Sequence, residues 1–219
     1  MAERVTLGLV DRDEALKGET RRDVFRKLAV GGTVVTGGLM IGGLPSVALG
    51  QKSARQDGEI LNFALLLEYL ESEFYVRAVN EGALTGDLLE FATVVRDHEV
   101  AHVEALQAAL GSAAIDKPMF DFKGTTSDPA MFAATAQALE DTGVGAYNGQ
   151  GSNLRRRTLP AAASIVSVEA RHAAWIRRLN AGPSYSDGRT SYPAPAALDP
   201  LLSLAEVQRI VEDTGFITG

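Results

Sequence analysis

The stretch RDHEVAHVEAL, Arg96 to Leu106, decides how this chain is read. It lies in an amphipathic helical pattern and sets Glu99 and His102 three residues apart, on the face that also carries Val95 and Leu106. A core-facing helix wants leucine at such positions. The pattern returns in SIVSVEARHAAWI, Ser164 to Ile176, where Glu169 and His172 share a face with Ala162, Ile165, Ala173 and Ile176.

Two other helical runs carry a different pair. LLLEYLESEFY holds Glu68 and, seven residues on, Tyr75, with Leu61, Ala64 and Leu65 on the same face. QALEDTGVGAY holds Glu140 and, again seven residues on, Tyr147, with Ala133, Ala136 and Val144. The chain therefore reads as a Glu-x6-Tyr helix followed by a Glu-x-x-His helix, twice, with 31 residues from Glu68 to Glu99 and 29 from Glu140 to Glu169. One Glu-x-x-His pair is common on helices and means little. Two of them, joined by two more core-facing glutamates, are hard to produce by chance.

Four carboxylates meeting inside one bundle would repel, and each unpaired buried charge costs several kcal/mol. No lysine or arginine is expected on these inner faces. Two divalent cations would balance four carboxylates, with two neutral imidazoles completing the set. The chain contains no cysteine, which excludes disulfides, thiolate catalysis and cysteine-held zinc or iron–sulfur sites. Oxygen-rich ligation with a few imidazoles suits iron or manganese, and zinc less clearly.

Around these motifs the pattern predicts four long helices, from about Gly58 to Asn80, Asp87 to Leu110, Pro129 to Gly149 and Pro160 to Asn180. Asp128-Pro129 is a helix start signal, a capping side chain followed by proline at the first helical position. The connection after Gly111 is long and contains Pro118, Gly124 and TTSDP; the other two connections are short. Nothing alternates with period two, so no sheet is expected. The predicted fold is all-α, a four-helix bundle with one long crossover over residues 51–181. A loop-rich extension over 182–219 follows, with one short helix where Ser203 and Glu206 form a capping box.

At this point the chain resembles the ferritin-like superfamily of di-iron and di-manganese carboxylate proteins, whose ligand pattern is a Glu from each of two helices and Glu-x-x-His from the other two. The resemblance covers Glu59 to Asn180 and fills every motif position. It implies two Fe or Mn ions bridged by Glu99 and Glu169, with Glu68 and Glu140 binding one ion each and His102 and His172 as terminal ligands. Tyr75 and Tyr147 match tyrosines that hydrogen-bond or shield such a centre, and are the candidate catalytic side chains beside it. The N-terminal segment and the tail look most like the exported, desiccation-related branch of that superfamily, and they depart from iron-storing cages.

The first fifty residues differ from the rest. TRRDVFRK, Thr20 to Lys27, precedes an uncharged run from Leu28 to Gly50 rich in Gly, Val and Leu, ending in PSVALG. This is the layout of a signal segment, with small residues at Ser46-Val47-Ala48 or Ala48-Leu49-Gly50 for cleavage. It resembles a twin-arginine export signal centred on Arg21 and Arg22, although Val24 stands where such signals usually carry Phe. Residues 1–50 are therefore expected to be a signal or membrane-anchor segment, and the protein exported and periplasmic. If the segment is uncleaved, Leu28 to Gly50 offers a membrane contact. These fifty residues hold seven of the 21 Lys and Arg and six of the 28 Asp and Glu, leaving 14 against 22, a formal charge of −8. With no basic stripe on any predicted helix, a nucleic-acid partner is not expected.

Other residues have plainer readings. Glu71 shares a face with Glu68 but lacks the spacing to tyrosine seen in the third helix; Glu71 and Glu104 are either acceptors for the histidine N–H groups or solvated. His98, beside Glu99, is read as a surface residue pointing away. Arg155, Arg156 and Arg157 are read as a solvated loop, and Phe63, Phe74, Phe91 and Trp175 as core. The leading functional expectation is an oxidoreductase-type centre reacting with O2 or a peroxide, of ferroxidase, peroxidase or catalase type. The alternatives are a structural or stress-protective bundle, a membrane-anchored subunit of a larger complex or homo-oligomer, and storage in a cage.

Overall fold

The computed structural model describes residues 52–182 and 192–218. The expected signal or anchor segment lies outside the described residues. Those residues form five α-helices and no strand: α1 (Ala54–Glu81), α2 (Gly86–Leu110), α3 (Pro129–Gly151), α4 (Leu159–Ala181) and α5 (Leu204–Thr214). None of them is long and apolar enough to cross a membrane.

Local chemistry places the ends. Asp128 accepts the Met131 N–H ahead of Pro129, and Ser203 and Glu206 close the capping box of α5. α1 starts earlier than its apolar pattern, because Ser53 accepts the Gln56 N–H and Arg55 pairs with Glu59 across the first turn. Gly82, at φ 73°, ends it where an L side chain would be strained.

The long connection sets the direction of α3. Asn62 donates to Ala113 O and accepts from Ile115 N, both at 2.9 Å. Lys117 reaches Glu73 at 2.5 Å, and Phe122 packs edge-on against Phe74, 5.4 Å away. The crossover thus follows α1 from its start to its end and delivers α3 antiparallel to it. Phe132 of α3 then stacks on Phe74 at 5.2 Å. α4 returns beside α3, with Asn180 donating to Gln137 at 2.8 Å, and Phe91 of α2 meets Trp175 of α4 at 5.4 Å.

The tail is less loop-like than its composition suggests. Val207 and Val211 of α5 are buried with Leu67 and Ala146, and Leu202 N donates to Gly145 O at 2.9 Å. Two glycines of α3 make this approach possible. A Cβ on Gly145 would lie 2.7 Å from Leu202 Cδ1, and one on Gly149 would collide with the Leu202 carbonyl. The chain end is pinned to the crossover by an isolated antiparallel bridge between Phe120 and Ile217.

Two expectations need correction. Arg155 is not simply solvated: its backbone N and Nε donate to Asp57 at 3.1 and 2.8 Å, and the Thr158 hydroxyl donates to the same carboxylate. Asp57 is only 3% exposed, so its charge requires such partners. Arg156 and Arg157 are exposed as expected. Phe74 and Phe91 are fully buried, while Phe63 and Trp175 are partly buried at the core margin.

Candidate metal centre

The four helices bring Glu68, Glu99, Glu140 and Glu169 to one point in the bundle, each 0% exposed, with His172 at 2% and His102 at 8%. Their ligand atoms form two overlapping groups, each within 4.8 Å. Glu68, Glu99, His102 and Glu169 make one; Glu99, Glu140, Glu169 and His172 make the other. Glu99 and Glu169 belong to both.

Two cross-helix hydrogen bonds frame the cluster. Tyr75 of α1 donates to Glu140 of α3 at 2.5 Å, and Tyr147 of α3 donates to Glu68 of α1. The bonds are reciprocal because α1 and α3 are antiparallel and each holds its tyrosine seven residues after its glutamate. Burial, and then the charges of Glu140 and Glu68, push the two phenols well above their ordinary range, so both remain donors.

The inner atoms have the wrong geometry for one another. His102 Nδ1 lies 3.0 Å from Glu169, 3.2 Å from Glu99 and 3.3 Å from Glu68; one N–H cannot serve three acceptors. His172 Nδ1 lies 3.0 Å from Glu99 and 3.3 Å from Glu140, yet it makes no hydrogen bond. Glu68 Oε2, Glu99 Oε1, Glu140 Oε2 and both oxygens of Glu169 are also buried without a hydrogen-bond partner. These atoms sit at ion-pair distance without the required angles, as atoms do when aimed at a shared centre rather than at each other. Orphaned carboxylate oxygens and imidazole nitrogens are the donor set of a hard or borderline cation, so the residues fit divalent metal ions.

Electrostatics point the same way. Burial, and then the neighbouring carboxylates, push Glu99 and Glu169 well above the ordinary range. Burial alone would lower His102, but the carboxylates of Glu169, Glu68 and Glu99 around it overcome that and raise it to about 12. Burial would raise Glu68, and the neighbouring His102 together with the Tyr147 hydrogen bond holds it below its ordinary value instead. Coordination by His102 requires the neutral imidazole, so a bound metal ion would compete with its proton. The one buried arginine of these helices, Arg177, answers Asp141 at 2.6 Å, so it qualifies the expectation of no basic residue here without neutralising the four glutamates.

Two further residues touch the cluster. Glu71 is 3% exposed, and burial followed by the charge of Glu169 raises its carboxyl well above the ordinary range. It fits beside Gly143, where a Cβ would stand 3.4 Å from Glu71 Oε1 and 3.1 Å from Glu169 Oε2. His98 is exposed as expected but does not point away. Its ring lies 5.1 Å from that of His172, 15° from parallel, with Nδ1 at 2.8 Å from His172 Nε2. When His172 Nδ1 is free to coordinate, Nε2 carries the proton and donates to His98, which fixes the tautomer. Glu104 is exposed. The signal for Glu71 was available in the repeat, since Gly143 occupies the matching place in the third helix; nothing in the spacing of His98 marked it.

The all-helical fold and this buried carboxylate–imidazole cluster define the ferritin-like class. A family model described as a ferritin-like domain matches residues 56–181, more than half of the chain, and the chain belongs to that family. No curated protein matches the sequence.

Proposed function

We propose that the bundle is an oxidoreductase-type protein whose centre holds two iron or manganese ions and reacts with O2 or a peroxide. What carries the reading is the set of orphaned, inward-facing atoms on four buried glutamates and a histidine. Glu99 and Glu169 would bridge the two ions, Glu68 with His102 would complete one, and Glu140 with His172 the other. Bound there, the pair of metals would supply redox equivalents to the oxidant. The residues' own work is to hold that geometry. Tyr75 and Tyr147 fix the terminal glutamates by donating one hydrogen bond each, His98 orients His172, and the burial of all four carboxylates excludes bulk water from the centre.

Elemental analysis of protein purified from its host tests this, beside a Glu99→Ala/Glu169→Ala variant. Two equivalents of iron or manganese per chain, lost in the variant, with consumption of O2 or peroxide only by the loaded protein, support the reading. Absence of bound metal in the unmodified protein overturns it. The complete burial of the glutamates also favours a second reading, ions that only hold the helices together. Metal-dependent stabilisation without any oxidant turnover selects that one.

Export belongs to the first proposal. The Arg21-Arg22 pair ahead of an uncharged run is its support, and N-terminal sequencing of protein from the extracytoplasmic fraction tests it. A mature start near Gly50 would show cleavage, whereas recovery with membranes and an intact N-terminus would favour an anchor.

A further inference from the structure

A cavity of about 290 Å³ lies between α1, α3 and α5, close to the lower end of the roughly 300–1,000 Å³ common for ligand pockets. Its walls are mostly apolar, with Leu67 and Leu70 of α1, Leu139 of α3 and Val211 of α5, and they also carry Thr135, Thr142 and Thr214. The one ionisable side chain in its lining is Glu71. The helix α5 lies beyond the span 56–181 that matches the ferritin-like domain, so the domain alone does not close this cavity.

The placement of Glu71 gives the cavity its interest. That carboxylate is outside the set of four glutamates and two histidines, yet it is almost wholly buried. It shares the space beside Gly143 with Glu169 Oε2, and so stands between the cavity and the clustered carboxylates. At the other side, Ala134 and Ala138 line the cavity and are exposed to solvent.

We propose that this cavity binds a small, uncharged, largely apolar organic molecule, held at its polar end by Glu71 beside the metal-binding cluster. A hydrated cation would shed its water against mostly aliphatic walls, with a single carboxylate and neutral threonine hydroxyls in return. An anion would meet Glu71 and, behind it, Glu169. A neutral molecule gains burial along the apolar walls and finds Glu71 and a few threonine hydroxyls as hydrogen-bonding groups. That this molecule lies next to a redox centre rests on the function proposed above; the ligand class does not.

The test is a fluorescence titration of the full chain with N-phenyl-1-naphthylamine, a neutral apolar probe, in metal-free and metal-loaded samples whose metal content is measured in parallel. One probe per chain is expected in both. Ala138→Trp, at the exposed mouth, should weaken binding at least tenfold with metal content and helicity unchanged. Ala134→Phe provides a second block if the first variant fails to fold. Unchanged probe binding in both variants overturns the proposal. So does the absence of probe binding together with slowed Mn2+ uptake in the variants, which would make the cavity a cation route. Probe binding that responds to the variants in a protein unable to hold metal would sustain the pocket while removing the proposed redox function.

Discussion

The α1–α2 and α3–α4 hairpins carry the same residue roles but are not copies. A shift of seventy-two positions lays Glu68 on Glu140 and Tyr75 on Tyr147, and the two cross-helix hydrogen bonds match. The same shift lays Glu71 on Gly143 and Asp57 on Pro129. A shift of seventy lays Glu99 on Glu169 and His102 on His172, but His98 on Val168. The clustered Glu and His positions are thus duplicated while their surroundings diverge. The duplicated positions give two equal groups of carboxylates and imidazole, whereas the space around them can be filled once: the fifth carboxylate fits because the other half contributes a glycine there.

The largest effect should come from removing what the halves share. Glu99→Ala/Glu169→Ala takes two of the four residues from each group at once and should abolish metal binding, read as metal per chain. The metal-free variant should unfold at a higher temperature than metal-free parent, because two uncompensated buried carboxylates have gone. A lower metal-free Tm would mean that those glutamates stabilise the fold by themselves.

Tyr75→Phe and Tyr147→Phe test the equality of the halves. Each leaves a buried glutamate without its donor, at a cost of about 2 kcal/mol. Urea unfolding of the metal-loaded protein should return similar losses for the two variants; a difference of more than about 1 kcal/mol would break the pseudo-symmetry.

Asp57 tethers the start of α1 to the loop before α4, while α3 is capped locally by Asp128. Burial would raise Asp57, but the bonds from Thr158 and Arg155 hold it below its ordinary 3.8. Its contribution is therefore present above that value and lost as pH falls through the lowered one. Asp57→Asn should cost about 1.5 kcal/mol at pH 7, and its unfolding curve should converge with the parent's on acidification below the ordinary carboxylate range. A gap that persists at the most acidic point would refute the charge-based account.

His98→Ala removes a partner that one half alone possesses. Metal titration should resolve two sites, with the His172 site weakened about tenfold and the His102 site unchanged. Equal weakening of both would show that the histidines act as one unit. The smallest effect is expected at Gly143→Ala. Its Cβ would crowd Glu169 and Glu71, costing about 1–3 kcal/mol by overpacking against a helix-propensity gain of about 1. A net loss of about 1 kcal/mol should shrink when Glu71→Ala is added; full additivity would deny the contact.

Most of the buried carboxylate–imidazole cluster was legible because it is written in local spacing. A helix repeats every 3.6 residues, so Glu99 and His102, or Glu68 and Tyr75, declare a shared face without any knowledge of the fold. The Asp128-Pro129 start and the Ser203–Glu206 capping box were legible for the same reason, since caps bond within one turn. Arg155 and His98 were misread because each looks like a surface residue to its neighbours in sequence. Their partners, Asp57 and His172, are far along the chain, and no periodicity reports them.

By itself, then, the sequence determined which faces are buried, that the described residues fold as helices without strands, and which carboxylates and imidazoles lie on those faces. Only the tertiary structure decided what stands opposite them. The crossover along α1 sets α3 antiparallel, and that direction alone pairs Tyr75 with Glu140 and Tyr147 with Glu68. The same packing seats Glu71 against Gly143, stacks His98 on His172 and closes a cavity with α5. Periodicity is a property of one helix, whereas a contact is a property of two, and the relative placement of helices comes from loops and packing that no single segment encodes.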